Sequence, residues 1–333
     1  LAESEKQLFN RLSSFIHADY SINQIREIYN LSDQPNFKLE KVKHQFKDIK
    51  NSLFEKYNHK PFYFKTIYFE ELFLRRHSKI VMSSFFKKEN LGIIIPRRYN
   101  FNFINPVFIT ENITDRNFLG GQSYIFPLWI YKQNGDAFNG NGNGKHQVSN
   151  LNPKIEELLE KTYNKKNITE EIFYYIYAIL YSNTYRTSFP ELLKIDYPKI
   201  PFTKNVEVFN QLAELGKALA DLHLLKSPRI NKPQVKFQGK GNGKVDKPKY
   251  NEQQQIISIN ETQYFDNINK ELWDFEIGKN RVIQQWIRRK EKIEFEDAVE
   301  FSRIATAIYE TFKIQTEIDI TYPEILTDMI EKQ

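Results

Sequence analysis

The chain has 333 residues, of which 40% are hydrophobic and 15% aromatic, so it can bury a sizeable core and is not a largely disordered protein. It has no cysteine, which excludes disulfides and thiolate metal sites. The net charge of +6 is compatible with a polyanionic partner but does not require one.

The chain begins with Leu1 rather than Met. Neither a basic-then-apolar signal segment nor an apolar run long enough to span a bilayer follows. We therefore expect a fragment of a longer protein whose natural start is missing. The absence of cysteine fits a bacterial-type cytoplasm.

Residues 1–56 carry apolar side chains at three- and four-residue spacing. This periodicity predicts helices, the later of them over residues 39–53, with Lys and Glu on the exposed faces. We interpret the segment as a helical connector.

Residues 57–135 have a mixed pattern that predicts an α/β recognition subdomain. A helix is expected over residues 80–86. Strands are expected over residues 62–64, 67–69, 91–96, 107–110 and 124–131.

The rest of the chain alternates flexible and regular segments. A Gly/Asn-rich flexible loop is expected over residues 136–150, a helical subdomain over 151–225 and a flexible basic loop over 226–250. Within the helical subdomain, residues 172–181 are apolar nearly all round and predict a buried helix, and residues 208–225 predict an amphipathic one. Residues 251–333 predict short strands at 256–259 and 273–278 and a closing helix from 295 to 318. The order of elements predicts an α+β fold, with a mixed β-sheet recognition unit and a helical C-terminal bundle.

The motifs of several enzyme classes are missing. Neither glycine-rich segment lies between a strand and a helix or ends in Gly-Lys-Ser/Thr, so nucleotide-binding motifs are absent. An Asn-Pro-Pro-Tyr motif for holding a target adenine is also absent. Asp266, Asp274 and Glu276 lie near one another in sequence and leave a magnesium-dependent nuclease as a minor alternative. We expect no catalytic residue, metal or cofactor in this chain.

Positive charge is concentrated in three stretches, residues 75–98, 226–249 and 279–292, each of which contains a single acidic residue. Such segregated charge attracts phosphates and releases counterions. Arginine can read guanine, and asparagine or glutamine can read adenine, so residues 116–117 and 122 offer base-reading groups. The candidate DNA-binding residues are Arg75, Arg76, Lys79, Arg97, Arg98, Arg116, Asn117, Gln122, Lys240, Lys244 and Arg281.

A series of short motifs resembles the C-terminal specificity region of type ISP restriction–modification enzymes and of their type IIG relatives. The resemblance covers roughly residues 57–322. The motifs are RHSKIVM (76–82), NLGIIIPR (90–97), DRN (115–117), YIFPLWIY (124–131), NLNP (150–153), IFYYIYA (172–178), residues 189–201, QYF (263–265), WDFEIG (273–278) and QWI (285–287).

This resemblance implies that the chain recognises a double-stranded DNA target while a separate upstream domain methylates an adenine at N6. S-adenosylmethionine and magnesium would belong to the missing upstream methyltransferase and nuclease domains, which are partners in the same polypeptide. The alternative is a protein-interaction module that couples the methyltransferase to the nuclease or translocase, as two amphipathic end helices would allow.

Overall fold

The computed structural model describes residues 1–17, 19–34, 37–74, 78–96, 105–131 and 147–331. The helices in these ranges are α1 (Glu5–His17), α2 (Ile22–Tyr29), α3 (Leu39–Gln45), α4 (Lys79–Ser83), α5 (Pro153–Tyr163), α6 (Thr169–Tyr181), α7 (Asn183–Ser188), α8 (Pro190–Ile195), α9 (Val206–His223), α10 (Lys270–Trp273), α11 (Val282–Arg288) and α12 (Phe295–Thr327).

The strands are short and spread along the chain. They are β1 (Phe54–Lys60), β2 (Tyr63–Tyr68), β3 (Gly92–Pro96), β4 (Phe108–Thr110), β5 (Ile113–Thr114), β6 (Ser123–Pro127), β7 (Trp129–Tyr131), β8 (Gln147–Ser149), β9 (Phe237–Gln238), β10 (Lys249–Asn251), β11 (Ile256–Ser258), β12 (Tyr264–Phe265), β13 (Glu276–Ile277) and β14 (Asn280–Arg281). Helices and small, mostly antiparallel sheets thus alternate without a doubly wound pattern, and the predicted α+β class is confirmed.

The chain divides into two compact units that do not follow the predicted segments. The first contains residues 1–91, 111–115 and 129–148, and the second contains residues 92–110, 116–128 and 149–333. The boundary expected at residue 56 falls inside β1.

The first unit packs its helices against a small sheet. Leu8, Phe15, Ile25 and Val42 share one hydrophobic core with Tyr68 of β2. The expected connector helices therefore bury their apolar faces within this unit, because an amphipathic helix needs an apolar surface to cover it. The sheet has the order β2-β1-β5 and is mixed, with β1 antiparallel to β2 and parallel to β5.

The predicted helix over residues 39–53 is wrong in its second half. α3 ends at Gln45, where Phe46 becomes extended and buries its ring against Tyr68, with 5.7 Å between the ring centroids. The Lys50 amide then donates to the Tyr68 hydroxyl at 2.9 Å. Packing against β2 thus outweighs the helical periodicity of this stretch.

The second unit is built on three long helices, and the predicted helices are confirmed there. α6 is buried nearly all round, and α9 and α12 pack against it. A Cβ atom at Gly216 of α9 would lie 2.0 Å from the Tyr174 carbonyl oxygen, so glycine is required for this close approach. Beside the helices, β3 forms a sheet of order β4-β3-β6, which confirms the predicted apolar strand.

The C-terminal third of the second unit differs from the prediction at two places. Residues 273–278 are not one strand, because Trp273 ends α10 and only Glu276 and Ile277 are in β13. Residues 226–250, expected to be a flexible loop, contain a 3-10 turn at Pro228–Asn231 and strands β9 and β10 of a sheet with the order β10-β11-β12-β9. No helix in the described residues is long and apolar enough to cross a membrane.

Candidate nucleic-acid interface

A turn-containing loop at residues 116–123, called the recognition loop below, presents two of the predicted residues. The Ser123 amide donates to the Arg116 carbonyl at 2.7 Å, and the Gly120 amide donates to the Asn117 carbonyl at 2.9 Å. Phe118 and Leu119 between them are fully buried. The loop is therefore anchored by its apolar centre, while the side chains of Arg116 and Asn117 are exposed.

The β13–β14 hairpin is hydrogen-bonded to this loop. The Lys279 amide donates to the Leu119 carbonyl at 2.8 Å, and the buried Asn280 side chain donates to the Phe118 carbonyl at 3.0 Å. The contact is close enough to require glycine at Gly278, where φ is +59° and a Cβ atom would lie 2.3 Å from the Leu119 carbonyl oxygen. The hairpin and the recognition loop therefore form one surface with Lys279 and Arg281 at its edge.

Asn105 fixes the same hairpin from its other side. Its carbonyl accepts from the Gly278 amide at 2.9 Å, and its side-chain amide donates to the Glu276 carbonyl at 3.2 Å. The Asn105 side-chain oxygen in turn accepts from Gln315 of α12 at 3.3 Å. Hydrogen bonds to α12 thus hold the hairpin in a defined position.

Arg281 and Gln122 are both oriented by neighbours. The Arg281 Nε donates to the Glu276 carboxylate at 2.7 Å, and this hydrogen bond raises the pKa of the guanidinium. Its side chain is 57% exposed, so the remaining N–H groups face solvent. The Gln122 amide donates to the Tyr124 hydroxyl at 3.0 Å, which directs the half-exposed amide along β6.

Lys240 and Lys244 lie on a segment held by glycines, not on a flexible loop. The Gly243 amide donates to the buried Gln263 side chain at 2.9 Å, and its carbonyl accepts from the Ile293 amide at 2.8 Å. The Lys240 carbonyl accepts from Thr262 at 2.8 Å. These bonds fix the backbone, and both lysine side chains are exposed.

Among the other predicted residues, Lys79 is the one that the structure describes. Lys79 lies in the first unit, where its ammonium contacts the Glu71 carboxylate at 3.3 Å. Arg75, Arg76, Arg97 and Arg98 lie outside the described residues, as does most of the Gly/Asn-rich loop.

Residues 1–310 match the family model described as the type ISP C-terminal specificity domain. The chain belongs to this family. This membership confirms the resemblance that the series of motifs indicated. The family is described as a specificity domain.

Three solved structures share the fold of this specificity domain. The ATP-dependent type ISP enzyme LlaBIII bound to DNA is 19% identical with a TM-score of 0.70, over 94% of this chain and 21% of that one. The DrdV–DNA complex is 17% identical with a TM-score of 0.72, over 95% and 34%. A nuclease-deletion mutant of the type ISP enzyme LlaGI with a DNA substrate mimic is 18% identical with a TM-score of 0.61, over 94% and 25%.

The specificity domain therefore spans between about a fifth and a third of the length of the chains in the solved structures that it matches. No curated protein matches it.

The carboxylates considered for a nuclease do not assemble in the specificity domain. Glu276 contacts Arg281, Asp274 contacts Lys270 at 2.8 Å, and Asp266 accepts from the Gln238 side chain at 2.8 Å. Within the described ranges, no group of three or more His, Asp or Glu residues could hold a metal ion.

Two residues of the interface, Lys279 and Tyr124, are absent from the predicted DNA-binding set, although Lys279 begins the third basic stretch. Lys279 stands at the tip of the hairpin and is exposed, and Tyr124 orients Gln122. The signal for Lys279 was the Gly278 that precedes it, since a glycine between two short strands is typical of a hairpin turn. Nothing in the sequence indicated the hydrogen bond between Tyr124 and Gln122.

Proposed function

We propose that this chain recognises a double-stranded DNA sequence on behalf of a restriction–modification enzyme and positions an adenine for methylation by a separate domain. The observation that carries the proposal is the docking of the β13–β14 hairpin on the recognition loop. It gathers Arg116, Asn117, Lys279 and Arg281 from distant parts of the chain onto one exposed surface.

The chemistry of this surface suits a duplex. An arginine fork can bind the O6 and N7 acceptors of guanine, and an asparagine or glutamine amide can bind the N6 and N7 groups of adenine. A well-placed bidentate contact of either kind contributes about 1–3 kcal/mol of discrimination against a wrong base. Arg116 makes no ion pair with any described residue, so its guanidinium is available for such a contact.

The partners of the chain follow from its family and from its size. Two of the matched structures contain DNA and the third contains a DNA substrate mimic, which supports duplex DNA as the first partner. A chain that covers about a third or less of those proteins would work with further domains of its own polypeptide. We assign adenine-N6 methylation and DNA cleavage to those domains, together with S-adenosylmethionine and magnesium.

Base extrusion explains why a separate recognition surface is useful. A methyltransferase must turn its target adenine out of the stack and thus loses pairing and stacking energy. A domain that holds the neighbouring base pairs in register offsets this loss at one sequence only. Recognition and methylation are thereby coupled without a catalytic group in this chain.

Selection from a randomised duplex library tests the proposal. The chain is incubated with the library at low salt, and bound duplexes are recovered, amplified and sequenced over several rounds. The expected result is enrichment of one short sequence. Asn117→Ala and Gln122→Ala should each relax preference at one or two positions, whereas Lys161→Ala on α5 should leave the enriched sequence unchanged.

A folded chain that binds duplexes without enriching any sequence would contradict recognition. If duplexes are not bound at all, and the chain instead binds the separately expressed upstream domains, the coupling-module alternative replaces it.

A further inference from the structure

One face of α11 carries its exposed polar residues in a single stripe. Val282, Ile283, Gln284, Trp286 and Ile287 are buried, whereas Arg281, Arg288 and Arg289 are exposed and Gln285 is half-buried. Arg288 and Arg289 follow Gln285 by three and four residues, which places these three side chains on one side of the helix, and Arg281 lies in extended backbone just before the first turn. We call Arg281, Gln285, Arg288 and Arg289 the α11 ridge.

The buried side of α11 fixes the direction in which the ridge points. Trp286 packs against Phe301 of α12, with 4.9 Å between the ring centroids, and its indole nitrogen donates to Glu300 at 3.0 Å. The Gln284 amide donates to the Trp273 carbonyl at 3.1 Å. The helix cannot roll without breaking these contacts, so the arginines stay on the surface.

Two acids of α12 are engaged by Lys290 rather than by Arg288. Asp297 and Glu300 contact Lys290, which lies over the Trp286 ring on the α12 side. Arg288 makes no ion pair in the part of the chain that the structure describes. The Arg289 guanidinium donates to the Gln285 side chain at 3.2 Å, which holds the two ridge residues side by side.

Each end of the ridge continues into another cationic element of the same unit. At its N-terminal end, Arg281 belongs to the β13–β14 hairpin with Lys279. Beyond its C-terminal end, Lys292 forms an isolated antiparallel bridge with Lys244 of the glycine-held segment. The cations of the second and third sequence clusters are therefore connected through α11.

We propose that the α11 ridge binds the phosphates of one DNA strand and supplies a sequence-independent contact, separate from base reading by the recognition loop. This inference rests on the proposed function and assigns a division of labour within it. The ridge presents guanidinium forks, which bind phosphate oxygens bidentately, with one amide that is already engaged by an arginine.

The length of the ridge fits this role. The seven residues of α11, which begins directly after Arg281 and ends at Arg288, span about 10 Å along the helix axis at roughly 1.5 Å per residue. This distance corresponds to about three base-pair steps at roughly 3.4 Å per phosphate of one strand. The arginines can thus contact successive phosphates while the recognition loop, next to the Arg281 end, contacts base edges.

The test compares two double variants that remove the same charge. Arg288→Ala/Arg289→Ala removes two arginines of the α11 ridge, and Lys154→Ala/Lys161→Ala removes two exposed cations of α5. Fluorescence anisotropy gives the affinity for a random duplex and for the duplex selected by the chain, at several salt concentrations. Circular dichroism verifies that each variant is folded.

Each lost phosphate contact should lower the slope of log affinity against log salt by about 0.9. Loss of both arginines should therefore reduce the fall in affinity between about 50 and 200 mM salt by roughly tenfold, equally for both duplexes. Arg288→Lys/Arg289→Lys should retain the wild-type slope, because it keeps both charges.

An unchanged slope in Arg288→Ala/Arg289→Ala, or a loss confined to the selected duplex, would overturn the phosphate role while leaving recognition intact. Failure of the wild-type chain to bind either duplex would instead contradict the proposed function itself.

Discussion

His223 of α9 makes the stability of the second unit sensitive to acid. Its ring is fully buried, with Nδ1 2.6 Å from the Tyr177 hydroxyl and Nε2 3.0 Å from the Thr311 hydroxyl. The ring also stacks on Phe108, with 5.3 Å between the ring centroids. Burial, which disfavours the charged ring, lowers the pKa of His223 from 6.5 to about 3.

The sign and size of the effect follow from proton linkage. Between the folded and unfolded pKa values the unfolded chain binds a proton at this histidine and the folded chain does not. The contribution of the neutral His223 ring to the free energy of unfolding is therefore complete above the pKa of the unfolded state and is lost as the pH falls below that value. For a pKa of about 3 in the folded state, the free energy of unfolding should fall by about 2 kcal/mol between roughly pH 7 and pH 5.

Urea unfolding at several pH values measures this loss. Trp129→Phe leaves Trp273 and Trp286 as fluorescent reporters of the second unit. His223→Gln in the same background keeps a neutral hydrogen-bonding side chain but removes the titration. We expect the variant to be less stable at pH 7 and to lose about 2 kcal/mol less than the parent on acidification. Equal losses in the two proteins would refute the reasoning.

Three further substitutions test the packing around the candidate site. Gly278→Ala should lower the free energy of unfolding by about 1–2 kcal/mol because of the left-handed backbone alone, which urea unfolding would measure. It should also displace the hairpin from Leu119 and thereby weaken duplex binding. Gln263→Ala should leave the Gly243 amide without its acceptor, which should lower the free energy of unfolding by about 1–3 kcal/mol and speed hydrogen exchange at that amide. Unchanged exchange would contradict the structure. Ile195→Ser should change stability by less than about 0.5 kcal/mol, because that side chain is 77% exposed; a larger loss on thermal melting would indicate a buried contact.

The parts of the fold that the sequence predicted are those with a strong local pattern. α6 is apolar on every face and is buried accordingly, and α9 has the amphipathic period of a helix packed on one side. β3 was recognisable as a short apolar run that ends in Pro96. In each case the burial of the element follows from its own residues.

The errors occur where a distant partner decides the local structure. Glycines at 239–243 suggested flexibility, yet a Cβ atom at Gly239 or Gly243 would lie about 2 Å from the carbonyl oxygens of Thr262 and Ile293. These glycines serve close packing, and the partners lie far along the chain. β1 likewise pairs in parallel with β5, which lies far along the chain.

The candidate site was only partly predictable for a related reason. Arg281 was predicted from a charge cluster, whereas Arg116 was predicted as a base-reading group next to Asn117. Their placement on one surface depends on the contacts of Asn280 with Phe118 and of Gly278 with Leu119, and these partners lie far along the chain. Composition can thus suggest the partner, whereas the arrangement of contacts needs the fold.

Duplex binding by the isolated chain is the most direct test of the central claim. A fluorescently labelled random-sequence duplex is titrated with the chain at several salt concentrations, and anisotropy gives the affinity. The account predicts binding that weakens linearly on a log–log scale, with a slope of about −0.9 for each phosphate contacted. Charge reversal at Arg116 and Lys279 should weaken duplex binding relative to the wild-type chain at each salt concentration. A folded chain that shows no binding even near 50 mM salt, where phosphate contacts are strong, would contradict DNA recognition by this surface.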